Sequence, residues 1–193
     1  MRSLIARAAL LPLLLAAGCG PIIGQAMKSS TGVQDFQVRE GSLADFKAVK
    51  RVLVFAPFTK GEKGYFICRG EDEWSIADGL KRAGLFETEY AFERDAEKAA
   101  ATLAALRTAS PAEVQSRLGL AAAPDAILSG SVLARDETVA PTVGVIEELR
   151  LRLDLTTLAT RRTTSIEVAV KAVHRESISM MIKEIERRVR AAK

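Results

Sequence analysis

The sequence predicts an α/β fold, a single three-layer-like α/β sandwich with a mixed β-sheet, flanking helices and a C-terminal amphipathic helix. Three observations support this fold class. Apolar segments rich in β-branched residues alternate with helical patterns, two later segments alternate apolar and polar residues with period two, and the last segment has helical spacing. The predicted order is β, α, β, α, α, β, then a β-hairpin and a final α.

The domain is predicted to begin with a buried strand over residues 51–58, RVLVFAPF, which is apolar and closed by Pro57. The loop TKGEKGYFICRG follows it. A helix in EWSIADGLKRAG has its apolar side chains on one face and ends at Gly84 as a C-terminal cap. Residues 85–92, LFETEYAF, alternate well enough to predict a second strand.

Two helices come next. Asp95 is predicted to cap an Ala-rich helix that runs through about Arg107. Residues 110–113, SPAE, combine a capping serine, a first-turn proline and a reciprocal glutamate, which is a sharper start signal. The short helix that they begin should stop at Gly119.

The second half of the domain is predicted to be mainly sheet. Residues 125–137, DAILSGSVLARDE, form a strand in which Gly130 marks a bulge or a close backbone approach. After Pro141, apolar side chains occupy odd positions and charged ones even positions, which predicts a strand with one face in the core. The odd series is Val143, Val145, Leu149, Leu151, Leu153 and Leu155. Ile166, Val168 and Val170 repeat the pattern, so the segment after Thr160 should pair back as a hairpin.

The C-terminal segment is predicted to be an amphipathic helix. Its apolar stripe consists of Ile178, Met181, Ile182, Ile185 and Val189. The other face carries Lys183, Glu184, Glu186, Arg187, Arg188 and Arg190. We interpret that charged face as a solvated surface, with docking or contact with anionic lipid as the alternative.

The N-terminus has the layout of a secretory signal peptide: Arg2 and Arg7, an apolar run over residues 8–17, and small residues before Cys19. The run is roughly half of the ~20 residues that a membrane span needs. It resembles the lipobox of bacterial lipoproteins, which implies that Cys19 becomes the lipidated first residue, carrying diacylglycerol and a palmitate-type chain. The alternatives are an ordinary cleaved signal peptide and a buried N-terminal helix.

These observations divide the chain into three parts. Residues 1–18 are predicted to be a lipoprotein signal peptide, residues 19–47 a lipidated N-terminus and flexible tether, and residues 48–193 a periplasmic α/β domain. Gly20 follows the cysteine where an aspartate would favour inner-membrane retention. We therefore expect lipid anchoring at the periplasmic face of the outer membrane.

Charge and cysteine content exclude several classes of function. The chain has 28 basic and 24 acidic residues, and removal of Arg2 and Arg7 reduces even this small excess, so nucleic-acid binding has no support. Lipidation of one of the two cysteines leaves Cys68 alone, which excludes a disulfide within the chain. An inert buried thiol is the main interpretation of Cys68, and pairing between chains is the alternative.

No catalytic or cofactor motif is recognisable. His174 is the single histidine, and neither it nor Cys68 lies in a motif of a cysteine nucleophile and its base. One histidine and one free cysteine cannot supply a closed zinc site, and no acidic cluster has the spacing of a calcium loop. We therefore expect a protein that is not an enzyme and has no metal or cofactor.

The strand RVLVFAPF, the helix leading into AGLFETEY, the phrase PDAILSGSV and the strand ELRLRLDLTTLAT, followed by a returning strand and a helix, resemble a known arrangement. It is that of the bacterial envelope lipoproteins related to the curli-secretion lipoprotein. Their superfamily includes penicillin-binding-protein activator lipoproteins and the N-terminal domain of the TolB translocation protein. LATRR stands where the family usually has a Thr-Gly turn. The resemblance implies a non-catalytic, membrane-tethered domain that binds another envelope component.

Two functions are therefore expected. The first is an envelope protein that binds a protein partner in a secretion, polymer-export or wall-synthesis assembly, with a homo-oligomer left open. The second is an accessory lipoprotein of a lipid or solute transporter, with an apolar ligand groove lined by Phe66, Trp74 and Phe86.

Overall fold

The computed structural model describes residues 22–63 and 71–192. A first helix, α1, spans residues 22–29. The strands are β1 (Gly32–Glu40), β2 (Arg51–Ala56), β3 (Thr59–Lys63), β4 (Glu87–Phe92), β5 (Ala126–Ala140), β6 (Gly144–Thr157) and β7 (Thr163–Val173). The remaining helices are α2 (Leu43–Ala48), α3 (Glu71–Arg82), α4 (Ala96–Thr108), α5 (Pro111–Leu118) and α6 (Ser177–Ala191).

The seven strands form one mixed sheet in the order β1-β7-β6-β5-β2-β4, with β3 also paired to β5. Strand β2 is parallel to β4 and β5, and β3 is parallel to β5. The pairs β5–β6, β6–β7 and β1–β7 are antiparallel. The predicted α/β fold with a mixed sheet and a C-terminal helix is confirmed.

Helices cover the sheet on two faces. A large apolar cluster joins α2, α3 and α6 to one face of the sheet, and the predicted stripe of α6 is buried in it from Met181 to Val189. A smaller cluster joins Leu106 of α4 and Val114 of α5 to Leu53 and Ile127 on the other face. Helices therefore cover the parallel strands β2 and β5 on both faces, which gives three layers in this part of the sheet. The larger cluster also extends across β6 to β7.

The predicted helix caps are confirmed. The Asp95 side chain accepts from the amides of Glu97 and Lys98 at the start of α4. Ser110 and Glu113 form the capping box of α5, and Gly119 ends that helix in the left-handed conformation at φ 62°. These signals were readable because each cap involves residues no more than four positions apart.

The hairpin of β5 and β6 is the longest feature of the sheet. Leu149, Leu151, Leu153 and Leu155 of β6 are buried, whereas Arg150 is exposed, which confirms the predicted alternation. The pairing with β5 is continuous except for an irregularity between Val132 and Ala134. Beyond that point the ladder continues to the turn between Ala140 and Gly144.

The prediction of a flexible tether over residues 19–47 is wrong for residues 22–47, which are described as α1, β1 and α2 with short connections. Strand β1 pairs antiparallel with β7, and α2 follows it with a capping box between Ser42 and Asp45. The alternation in GVQDFQVRE is weak because an edge strand with little burial needs few apolar residues. The backbone of β1 forms its hydrogen bonds with β7, which lies more than 120 residues later in the chain. The folded domain thus begins well before residue 48.

The expected loop after Pro57 also contains a strand. Residues Thr59–Lys63 form β3, which pairs with β5 beyond the end of β2. At this junction the fully buried Glu73 accepts a hydrogen bond of 2.9 Å from the amide of Phe58, so α3 is fixed to the end of β2. The polar sequence TKGEK gave no strand signal because its pairing partner lies elsewhere in the chain.

Candidate functional site

An open groove of about 1200 Å³ runs along α3 and α6 and across the ends of the neighbouring strands. It is larger than the ~300–1,000 Å³ typical of pockets for small molecules. Its lining combines three aromatic side chains with charged groups of both signs. The lining residues are Asp72, Trp74, Ser75, Gly79, Arg82, Ala83, Tyr90, Phe92, Arg135, Glu137, Glu147, His174, Arg175, Ser177, Ile178, Ser179, Ile182, Lys183 and Glu186.

One side of the groove is aromatic. Trp74 on α3 is 56% exposed and Phe92 at the end of β4 is 45% exposed, which is high for side chains of this size. Tyr90 lies on the same strand as Phe92 and is partly buried. Burial raises the pKa of the Tyr90 hydroxyl above its usual range, and the negative charge of Glu73 raises it further. Tyr90 is therefore a neutral hydroxyl under physiological conditions.

The other side holds a buried ion-pair network centred on Arg135, whose side chain is only 10% exposed. Its Nη2 lies 2.5 Å from Oδ2 of Asp72, and its Nε makes a close ionic contact of 3.0 Å with Oε1 of Glu147. The hydroxyl of Ser177, at the start of α6, donates to Oε2 of Glu147. This network joins α3, β5, β6 and α6 at the base of the groove.

A second cluster lies beside this network. Glu137 and Glu147 are directly opposite each other in the β5–β6 ladder, a pairing of like charges that is unfavourable by itself. His174 is nearby, with its Nδ1 3.9 Å from Oε1 of Glu137. One ligand atom from each of the three residues lies within 4.8 Å of the other two, so these side chains have the types and proximity that a divalent cation uses. A cation would, however, compete with Arg135 and Ser177 for Glu147.

The three side chains that were predicted to line an apolar groove do not lie together in the structure. Trp74 lines the groove, as expected. Phe86 does not, because it is 5% exposed and packs against Phe46 in the core with ring centroids 6.2 Å apart. Phe66 lies outside the described residues, as do Cys19 and Cys68. The helical position of Trp74 places it on the outer face of α3, whereas Phe86 precedes β4 and faces the core.

Sequence reasoning missed Asp72, Arg135 and Glu147. One signal was available: the odd positions of β6 face the core, and Glu147 is the charged residue that interrupts the apolar series between Val145 and Leu149. A charge on a core face predicts a buried partner. Arg135 could not be identified as that partner, because the irregularity between Val132 and Ala134 changes which side chains of β5 face inward.

The charged face of α6 is held together by its own ion pairs. Glu184 lies 2.6 Å from Arg187 and 2.8 Å from Arg188. The hydrogen bond from Arg187 lowers the pKa of Glu184 to about 2, with Arg188 adding to the effect. Arg188 also lies over the ring of Phe36 at 4.9 Å from its centroid. The basic residues of this face remain exposed, which confirms the predicted solvated surface.

In the part of the chain that the structure describes, no helix has both the length and the apolar character needed to cross a bilayer. No protein-family model matches the chain. The search of curated proteins likewise gave no significant match.

The solved structures that are similar to the chain at low identity include two of PelC and one of a hypothetical protein. The PelC dodecamer from Paraburkholderia phytofirmans, in space group P6, is 16% identical with a TM-score of 0.46, over 80% of this chain and 94% of that chain. A variant PelC dodecamer in space group C2 is 13% identical with a TM-score of 0.45, over 79% and 93%. The hypothetical protein CT253 from Chlamydia trachomatis is 13% identical with a TM-score of 0.40, over 74% and 94%. TM-scores below 0.5 do not establish a shared fold.

Proposed function

We propose that the chain is a non-catalytic, lipid-anchored protein at the periplasmic face of the outer membrane that binds a segment of another envelope protein in the groove beside α3 and α6. The observation that carries the proposal is the exposure of Trp74 and Phe92 on one side of that groove. Large aromatic side chains supply much of the binding energy at protein interfaces when a partner covers them.

The charges of the groove support a polypeptide partner. Arg82, Arg175 and Lys183 lie on its lining together with Glu137 and Glu186. Aromatic and charged side chains occur together in this way at protein interfaces. A groove of about 1200 Å³ also accommodates more than one side chain of a partner.

The buried charges support a binding role in preference to a catalytic one. Arg135 is ion-paired with both Asp72 and Glu147, and Ser177 donates to the second oxygen of Glu147. Groups that are paired with one another in this way fix the shape of the groove. General acid–base catalysis would instead require a group able to exchange a proton with a substrate.

Site-specific photo-crosslinking tests the groove. We would place a photoreactive amino acid at Trp74 and, as the control, at Ala101, which is exposed on α4. The cross-linked products would be identified by mass spectrometry after detergent solubilisation of the envelope. We expect a protein adduct at position 74 and none at position 101. Equal labelling at both positions, or none at either, would refute a partner in the groove.

The aromatic side of the groove also favours the second candidate, an accessory transport lipoprotein that holds an apolar ligand. The same experiment separates the two functions, because a lipid or another small molecule cross-linked at Trp74 would replace the protein adduct. An adduct of twice the chain mass would identify a second copy of the chain as the partner.

The lipid anchor has its own test. The run LLLAAGC ends at Cys19, so intact-mass measurement of the mature protein should show diacylglycerol on an N-terminal Cys19. An unmodified chain that begins at another residue would refute the anchor and leave the groove experiment unaffected.

A further inference from the structure

Helix α1 has an unusual distribution of apolar residues. In α1 the side that faces the domain is formed by Gly24, which is buried, and Met27, which is partly buried. Ile22 and Ile23 are 70% and 52% exposed. A helix that packs on a domain normally turns its large apolar residues inward. Here the glycine faces inward and the two isoleucines face outward.

Gly24 fixes α1 against the tip of the β5–β6 hairpin. A Cβ at Gly24 would lie 1.9 Å from the backbone oxygen of Pro141 and 3.3 Å from Oγ1 of Thr142. Only glycine allows such a close approach between helix and hairpin. Val139, two residues before Pro141, is 78% exposed, the highest value among the exposed large apolar side chains of the described residues. Ile22, Ile23 and Val139 therefore belong to the same end of the domain, which we name the apolar tip.

The apolar tip lacks charged residues in both segments that form it. Residues 22–27, IIGQAM, and residues 138–146, TVAPTVGVI, contain no Asp, Glu, Lys or Arg. In the whole chain 27% of residues are charged, whereas both segments that meet at this end are uncharged. An uncharged apolar surface is suited to the boundary between lipid headgroups and acyl chains.

We propose that the apolar tip contacts the lipid bilayer, so that Ile22, Ile23 and Val139 enter the headgroup boundary. The inference rests on the lipid anchor at Cys19 proposed above. Ile22 follows Cys19 by three residues, and three residues span at most about 11 Å. The docked α1 thus brings this end of the domain to the membrane. Strand β6, 14 residues long, then extends away from the membrane by about 45 Å to the turn at Thr160.

Fluorescence from a single tryptophan tests this orientation. In the lipidated chain with Trp74→Phe, tryptophan would be introduced by Val139→Trp or, as the control, by Thr160→Trp, which lies beyond the opposite end of β6 and is exposed. The protein would be reconstituted in vesicles of equal parts phosphatidylethanolamine and phosphatidylglycerol with brominated acyl chains. We expect at least twofold quenching and a blue shift at position 139 and neither at position 160. The proposal is overturned when both positions respond alike.

Failure of the anchor and failure of the apolar tip give different results. If intact mass shows no lipid on Cys19 but the tryptophan at position 139 is quenched on mixing with vesicles, the tip contacts lipid and the anchor is wrong. If Cys19 is lipidated and position 139 is not quenched, the tip proposal is wrong and the anchor stands. A blue shift at position 139 without vesicles, increasing with protein concentration, would mean that a second copy covers the tip, and it would overturn the proposal.

A second variant checks that the response comes from the apolar side chains. In the unlipidated chain that begins at Gly20, we expect Val139→Asp to reduce vesicle binding at least tenfold, and Thr160→Asp to change it less than twofold. Both sites are exposed, so circular-dichroism melts should show that both variants remain folded. Equal binding by the two folded variants would contradict a contact at the tip.

Discussion

The ring of Phe58 lies directly over the backbone of Gly130. A Cβ at Gly130 would be 2.6 Å from Cε2 of Phe58 and 2.9 Å from the backbone oxygen of Arg152. We expect Gly130→Ala to lower the free energy of unfolding by about 1–3 kcal/mol, because neither the buried ring nor the strand backbone can move without disturbing the core. Urea denaturation of the chain that begins at Gly20 measures the change.

Gly61→Ala is the matched control for Gly130→Ala. A Cβ at Gly61 would make ordinary contacts, with the nearest atom, the backbone oxygen of Leu133, at 3.4 Å. We expect this variant to unfold within about 0.5 kcal/mol of the parent chain. Two equally stable variants would show that the ring of Phe58 is not held against Gly130.

Trp74 and Phe86 should respond differently to truncation. Trp74→Ala removes an exposed side chain of the groove, so we expect the stability to change by less than about 0.5 kcal/mol while binding of the partner is lost. Phe86→Ala leaves a cavity beside Phe46 and should cost about 3–5 kcal/mol. Thermal melts and partner binding, measured on both variants, check the pair. A large loss of stability in Trp74→Ala would place that side chain in the core.

Ile182 and Arg187 test the docking of α6. Ile182 is 4% exposed, and its Cγ1 would lie 3.0 Å from a Cβ at Gly79 of α3. Ile182→Asp should unfold the domain, because it puts an unpaired charge into the core of a fold whose total stability is about 5–15 kcal/mol. Arg187→Ser, on the exposed face, should stay within about 0.5 kcal/mol. Equal melting temperatures would mean that α6 is not docked on the sheet.

Arg135 is expected to stabilise the base of the groove through its ion pairs with Asp72 and Glu147. Arg135→Met should cost about 3–5 kcal/mol, because Glu147 is then a buried charge whose side chain is only 5% exposed. The double variant Arg135→Met with Glu147→Met should recover most of that loss. Denaturant titration of both variants measures the recovery. A double variant no more stable than Arg135→Met would show that Glu147 is not the group that requires the arginine.

Stability should fall with acid partly through Glu184. The folded pKa of about 2 is below the reference value of 4.5, so the stabilisation by its ion pairs is complete above pH 4.5 and is lost between about pH 4.5 and 2. Glu184→Gln should therefore lower stability at neutral pH by at most about 1 kcal/mol and have little effect near pH 2. Thermal melts across this range compare the two chains. A constant difference at all pH values would contradict the assignment.

The sequence by itself determined the elements whose signals are local. The capping box of Ser110 and Glu113 and the left-handed Gly119 fixed the limits of α5, because the groups that satisfy a helix end lie within one turn of it. The alternation of Leu149 to Leu155 identified β6 and its buried face, because a strand with one face in the core has a period of two. The spacing of the α6 stripe did the same for the last helix.

Only the tertiary structure decided which segments meet. Strand β1 exists through its pairing with β7, and β3 through its pairing with β5, so neither carries a strong pattern of its own. The groove depends on the same long-range choices: the irregularity near Val132 turns Arg135 inward, where it meets Glu147 from β6 and Asp72 from α3. A local pattern specifies which face of an element is apolar, but register and packing between distant segments determine which charged groups share a site.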